Sequence, residues 1–352
     1  FLDREMFSAG GINGKEGGTY EQVSRIYLQA HPELPGLPGL NDKALAEVKQ
    51  PYTTYALRAG DFQFIKPREA VPVAAAVPET SPPPTAGKKS PRAKKGAKTA
   101  APPKPKLVVP PLTYEEMAAA DFLSYSSAWE FVAERFHCDE AFLRRLNPKL
   151  GEKPAVGDGF KVPNVIPFEI EKALDLPLQP AADPQKPVTA AVEKDALKES
   201  FLKISREGKL IAVMPMASAR PGLRGRGTWT MLDVIPGPRL TTKREPREAP
   251  KTPPAPAGTT PPAAAPPPPE QPPQFLASGP NNPAGILWIQ LGKAVKNKTA
   301  EPLPYGLHGT SIPAKMASQQ GIGGLRLTNW DIARAVRLLP AGTSLEWVPE
   351  KK

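Results

Sequence analysis

Tyr305-Gly-Leu-His308-Gly-Thr310, followed after ten residues by Gly321-Ile-Gly-Gly324-Leu-Arg326-Leu-Thr-Asn329-Trp-Asp331, is the stretch on which the reading of this chain turns. A His-Gly-Thr at a strand end, and a glycine-dense turn leading through Arg326 into a helix, predict one wall of a groove. That wall is where chemistry is expected. Yet from Gly321 until Thr328 it holds no thiol, hydroxyl, imidazole or carboxylate.

The neighbouring sequence supplies a mainly β domain around this stretch, from about residue 191 to 349. Gly279-Pro-Asn-Asn-Pro283-Ala-Gly285 reads as a turn, and Ile286-Leu-Trp-Ile-Gln-Leu291 as a strand apolar on both faces, hence central. Upstream, Phe201 to Ser205, the turn Arg206-Glu-Gly208-Lys209 and Leu210 to Met214 predict a hairpin, and Gly227 to Val234 another alternating strand. A Pro/Ala-rich insertion over about 241–273 is expected as a disordered surface excursion. Asn329 is expected to cap a helix presenting Ile332, Val336 and Leu339, which Pro340 and Gly342 end, and Thr343 to Val348 closes the domain as a strand.

Two smaller units precede it. In residues 1–50, Phe7-Ser-Ala-Gly10-Gly-Ile-Asn13-Gly14 is a turn cluster. Thr19 with Gln22 makes a capping-box pattern before Val23, Ile26, Tyr27 and Ala30, and a second helix is expected from Asp42 to Val48. Residues 51–69 read as an extended connector, and 70–111 as a Pro/Lys-rich linker too poor in large apolar groups to offset its ordering entropy. In 112–166, Phe122 to Tyr125 reads as a strand and Ser127 as a helix cap. Trp129, Val132, Ala133 and Phe136 share one helix face, Asp139 is a cap for a second helix burying Phe142, Leu143 and Leu146, and Gly159 to Pro163 is a closing strand. Residues 167–190 connect to the last domain.

Composition agrees with several units on a string. The 352 residues include 48 prolines and 28 glycines, so much of the chain is not expected to pack. The formal charge is +11, but eight Lys and Arg lie between Lys88 and Lys106 with no acid among them, so only +3 belongs to the rest. No apolar run is long enough to span a bilayer. One cysteine, Cys138, excludes an internal disulfide and a cysteine-based zinc site, and it reads as an incidental thiol rather than a nucleophile. His31, His137 and His308 have no metal-ligand spacing, so neither metal nor other cofactor is expected. The chain opens Phe1-Leu2-Asp3 without a methionine, as expected of a processed or truncated chain.

These phrases resemble three known families. Phe7 to Asn13, the Gly before Thr19 and the Gly39-Leu-Asn turn resemble the small helical peptidoglycan-binding domain, with Asn13 where that family has Asp. The order β-α-α-β, with Phe131-Val-Ala-Glu-Arg-Phe136, Leu143-Arg-Arg-Leu-Asn147-Pro148 and Gly157-Asp-Gly-Phe-Lys-Val-Pro-Asn164, resembles a LysM domain. Ser126-Ser127 replaces its usual Gly-Asp-Thr. This resemblance implies a glycan-binding region at Ser126, Ser127, Asn147 and Pro148. Glu207-Gly208, Gly279 to Gly285, Trp288-Ile, Tyr305 to Thr310 and Leu325 to Asp331 resemble, in that order, the L,D-transpeptidase catalytic domain, a sandwich-like β fold that cross-links or trims peptidoglycan. The fold class expected is therefore a multidomain α+β chain with disordered Pro-rich linkers.

The resemblance also implies what the glycine turn lacks. The family's active turn reads Ser-His-Gly-Cys-x-Arg, in which the histidine activates the cysteine. In register, Gly321 takes the serine position, Ile322 the histidine, Gly323 the glycine and Gly324 the cysteine, while His308, Gly309, Thr310, Gly323 and Arg326 are retained groove residues. No catalytic residue is expected, because glycine offers no nucleophile and removing one costs about 10⁶ in turnover in a well-studied protease. Implied partners are peptidoglycan glycan strands and stem peptides, with an active cell-wall enzyme as a further partner, and the implied location is the periplasm or cell envelope. An active L,D-transpeptidase is the alternative, with Ser311 or Ser318 as replacement nucleophile. A nucleic-acid binder acting through Lys88 to Lys106 is the second, although that run has no aromatics for stacking on bases.

Overall fold

The computed structural model describes residues 1–68, 71–73, 106–108, 110–194, 200–218, 228–241, 275–295, 298–316 and 324–348. Two helices open the chain, α1 (Thr19–Ala30) and α2 (Gly36–Glu47). Thr19 is the first residue of α1, not its cap; that place belongs to Gly18, and no side chain caps the helix. α2 begins six residues before the expected Asp42, because Pro38 falls in its first turn, where a missing N–H costs nothing.

The next elements are β1 (Tyr52–Ala56), a 3-10 turn (Ala59–Phe64), β2 (Val71–Val73) and β3 (Lys106–Val108). Then come α3 (Tyr114–Ala119), α4 (Ala128–Arg135), α5 (Glu140–Leu146), β4 (Gly159–Pro163) and α6 (Ile170–Ala173). β1 pairs antiparallel with β4, Tyr52 opposite Pro163 through Ala56 opposite Gly159. The strand expected over Phe122 to Tyr125 is absent; Tyr125 makes only a single bridge, to Ile65. The first strand of the β-α-α-β unit is therefore supplied by residues 52–56, read from sequence as a connector. β2 and β3, at the two ends of the Pro/Lys-rich stretch, pair with each other, and Lys88 to Lys98 lies outside the described residues.

The local signals for the two helices of this unit are partly as read. Ser127 caps α4 by accepting from the Glu130 N–H at 3.0 Å, and Trp129, Val132, Ala133 and Phe136 are all buried. Asp139 stands at the N-cap of α5 without a side-chain bond there; its N–H donates instead to the Ile12 carbonyl.

The remaining strands are β5 (Val188–Lys194), β6 (Ser200–Arg206), β7 (Lys209–Ser218), β8 (Thr228–Pro236), β9 (Leu287–Val295), β10 (Lys298–His308), β11 (Gly324–Arg326) and β12 (Ser344–Trp347), with α7 (Asn329–Leu338) before the last. They close into a barrel in the order β10-β11-β7-β6-β5-β12-β8-β9 rather than a two-sheet sandwich. Closure depends on two parallel pairings, β10 with β11 and β12 with β5. It leaves no edge strand to protect. The domain also starts before residue 191, since β5 begins at Val188.

Side-chain alternation fills the barrel. Leu202, Ile204, Ala212, Met214, Met231, Ile289, Leu291, Leu307 and Leu345 are buried within one continuous apolar cluster that also takes in Trp129, Phe160 and, on α7, Trp330, Ile332 and Val336. The opposite face of β6 and β7 is apolar too: Phe201 and Val213 pack with Phe7, Val23, Tyr27 and Leu40 beneath the opening helices. Over the described residues, then, one apolar cluster runs from the α4–α5 unit into the barrel, and a second lies between the opening helices and β6 and β7.

The residues before α1 join its parts. Asp3 takes two bonds from Arg334 of α7, at 2.8 and 3.2 Å, and meets His137 Nδ1 at 3.0 Å. Ser8 donates to Asp331 at 2.9 Å, and its N–H donates to the Val213 carbonyl of β7 at 2.8 Å.

Candidate functional site

The His308 motif and the end of the glycine turn are brought together by the parallel pairing of β10 with β11, which sets Gly306 opposite Gly324 and His308 opposite Arg326. The Leu327 N–H donates to the His308 carbonyl at 2.8 Å and extends the register by one bond. On its other side β11 pairs with β7, Arg326 opposite Ala217. Of the predicted turn, Gly321, Ile322 and Gly323 lie outside the described residues, as does Ser318.

Glycine is required here by close approach. A Cβ at position 309 would fall 2.1 Å from Asn329 Oδ1, whose oxygen already accepts from the Ile286 N–H. A Cβ at position 324 would fall 2.4 Å from the Gly306 carbonyl oxygen and 3.1 Å from His308 Cδ2. Real Cβ atoms do not sit that close to backbone, so no cysteine fits at 324 with these strands paired as they are. Asn329, read as a helix cap, is instead the first residue of α7; Thr328 caps it, its Oγ1 accepting from the Asp331 N–H at 3.2 Å.

His308 is only 1 % exposed. Its ring lies flat on the Trp288 indole, centroids 5.1 Å apart and planes at 8°, and Nδ1–H donates to the Gly309 carbonyl at 2.7 Å. That bond puts the ring proton on Nδ1 and a lone pair on Nε2, which has no hydrogen-bond partner. Burial pushes the imidazole down to about 4, with the Gly309 carbonyl opposing and the Arg326 charge adding to the fall. The ring is therefore neutral at physiological pH. Arg326 is itself buried, and burial draws its guanidinium below its usual value. Thr310, also buried, accepts from the Ile312 N–H through Oγ1 at 3.2 Å.

This arrangement has a neutral acceptor, a buried cation and an aromatic floor, but no nucleophile at the position facing His308. The single thiol lies elsewhere. Cys138 is buried in the turn between α4 and α5, and burial pushes it up to about 12, so it is protonated and inert. Trp288 and Gly306 were not singled out as site residues by the sequence. A Cβ at 306 would lie 2.3 Å from the Trp288 indole, so glycine at 306 is what lets that ring lie across the strand beside His308.

The residues expected to contact glycans are engaged inside the fold. Ser126 Oγ and its N–H both donate to the Glu130 carboxylate, and Ser127 caps α4. Asn147 donates to the Leu143 and Lys161 carbonyls and accepts from the Lys161 N–H, which uses both of its amide donors, while Pro148 is exposed just beyond α5. The loop before α4 is docked on the barrel: the Leu123 N–H donates to the Ser278 carbonyl and Asn281 donates to the Ser124 carbonyl.

No family model and no curated protein matches the chain. Among solved structures, it is similar to L,D-transpeptidase 3 from Mycobacterium tuberculosis in complex with a faropenem-derived adduct. The identity is 12%, covering 56% of this chain and 76% of that one, with a TM-score of 0.27. It is also similar to Mycobacterium tuberculosis L,D-transpeptidase 1, at 10% identity over 46% of this chain and 62% of that one, with a TM-score of 0.24. The chain thus spans less than two thirds of the transpeptidase 1 chain. Likenesses this slight carry no functional argument, which rests on the residues around His308 and Gly324. No helix among the described residues is long and apolar enough to cross a membrane.

Proposed function

We propose that this chain is a non-catalytic peptidoglycan-binding protein of L,D-transpeptidase type, exported to the periplasm or cell envelope, whose β10 and β11 groove holds stem peptides. The observation that carries the reading is Gly324. It takes the position of the family's cysteine, and a side chain there would collide with the Gly306 carbonyl. What remains around it is suited to binding: Arg326, whose guanidinium matches a peptide carboxylate, and the Trp288 and His308 pair with its unused acceptor at Nε2. Weight falls on this site rather than on the LysM-like unit, because Ser126, Ser127 and Asn147 already hold the helices and strand of that unit in place. An active cell-wall enzyme is the fitting partner for a protein that holds substrate without turning it over.

The test has two arms. Purified protein is expected to sediment with insoluble peptidoglycan at physiological salt, and failure to do so sinks the binding reading. Incubated with tetrapeptide muropeptides, it is expected to leave their mass spectrum unchanged. Cross-linked or exchanged products would establish the enzyme instead.

A further inference from the structure

A cleft of about 370 Å³ opens where the N-terminal segment, the chain after β4 and α7 meet, with Met6, His137, Phe168, Trp330, Ala333 and Leu338 among its walls. That volume is in the lower part of the range of small-molecule sites, roughly 300–1,000 Å³. Two of the walls have strained backbone. Met6 has φ 64° and His137 φ 53°, in the left-handed region that favours glycine.

His137 follows the last residues of α4. Its N–H donates to the Glu134 carbonyl at 3.2 Å and the Cys138 N–H to the Ala133 carbonyl at 2.9 Å, the paired bonds of a helix end that glycine usually closes. The chain puts an imidazole there and then fixes it. Nδ1 lies 3.0 Å from both oxygens of Asp3, and the ring is stacked on Trp330 at 5.2 Å and 13°. Burial works to raise the Asp3 carboxyl, but His137 and then Arg334 outweigh it and hold it well below the usual carboxylate range, so Asp3 is ionised and only accepts. Burial draws the His137 imidazole below its usual value against the pull of Asp3, which favours the neutral ring, with its proton on Nδ1 facing that carboxylate and a lone pair on Nε2. That atom is buried and has no hydrogen-bond partner, although His137 as a whole is 1 % exposed. Strain and an unmade hydrogen bond thus meet at one wall of one cleft, an arrangement with no gain for folding by itself.

The cationic donors around the cleft are already engaged. Arg334 is held by Asp3, Arg337 donates to the Pro177 and Asp175 carbonyls, and Lys172 pairs with Glu169 at 2.7 Å. An anionic ligand would have to displace one of these contacts, and the other walls are mostly apolar. We propose that this cleft binds a small uncharged molecule with an apolar body and one hydroxyl or N–H, which donates to His137 Nε2. A single aromatic ring carrying a hydroxyl has suitable bulk, with the half-buried Met6 thioether free to adjust against its edge.

The probe is p-cresol, compared with 4-methylanisole, which has nearly the same shape and no donor. Both are titrated into the full chain carrying ¹⁵N-labelled histidine. Cresol is expected to bind at millimolar concentration or below and to move the His137 Nε2 resonance, leaving His308 in place. Methylanisole is expected to bind about three- to tenfold more weakly, the worth of one hydrogen bond. Ala333→Phe, which fills the cleft from α7, is expected to abolish the cresol shift while peptidoglycan co-sedimentation stays unchanged. No His137 shift with saturating cresol, equal affinity for the two probes, or cresol binding unaltered in a folded Ala333→Phe protein each overturns the proposal. Should that variant fail to fold, the comparison of the two probes on the unsubstituted chain still decides.

Discussion

A methyl group at position 324 would press against the Gly306 carbonyl at 2.4 Å, and strand pairing on both sides of β11 leaves little room to yield. Gly324→Ala is therefore expected to lower stability by about 1–3 kcal/mol, the range of overpacked sites, and Gly324→Cys by about as much, since the Cβ is the offending atom in both. Denaturant unfolding measures both, and a neutral effect of either would show that β11 is not held as described. A second residue-scale prediction concerns pH. Burial pushes Glu134 up to about 8 and Asp331 to about 7, above the ordinary unfolded values near 4. Each contributes stability that is full below the unfolded value and is lost as pH rises through the folded one. His308, pushed down to about 4, has the opposite sign: its share is full above about 6.5 and is lost as pH falls towards 4. Glu134→Gln is expected to flatten the decline in melting temperature between pH 6.5 and 8, seen by thermal unfolding across that window. At this scale the sequence was legible where a motif was contiguous. His308 and Gly324 stood out; His137 did not, because the carboxylate that orients it is Asp3, 134 residues earlier.

Turn chemistry was the most readable feature among the elements. The hairpin joining β6 to β7 has Glu207 at φ 53° and Gly208 at φ 77°, positive at both central positions as a two-residue turn requires. Gly208 suits that geometry and Glu207 does not. Glu207→Asn is expected to raise stability by several tenths of a kcal/mol to about 1 kcal/mol, measured by denaturant midpoint, because asparagine tolerates the left-handed region. Helix faces were equally legible: Trp129, Val132 and Phe136 are buried as their spacing demands. Strand partners were not. Phe122 to Tyr125 has good strand composition, but β4 pairs with β1, on the far side of the Pro/Lys-rich stretch. Composition describes what a segment can bury and says nothing of which strand lies beside it.

Over the whole molecule, the prediction is one cooperative unfolding transition for the described body rather than one for each unit. The apolar cluster runs without a break from Phe160 through Trp330 into the barrel, and Asp3 ties the N-terminal segment to both α7 and the α4–α5 turn. Asp3→Ala is expected to cost about 2–4 kcal/mol, since it leaves the half-buried Arg334 with only Asp331 at 3.9 Å and removes the acceptor of His137, and to lower the melting of the whole body together. Calorimetry resolving separate transitions would contradict this. The residues alone determined the periodic helices, the hairpin and the missing thiol, because each is a property of neighbours in the chain. The tertiary structure decided that the strands close into a barrel, that β1 completes the β-α-α-β unit, that position 324 has no room for a side chain, and that His137 lines a cleft. Those facts depend on which backbones and charges are brought together in space, from Gly306 against Gly324 to β1 against β4 and Asp3 against His137, which no local pattern encodes.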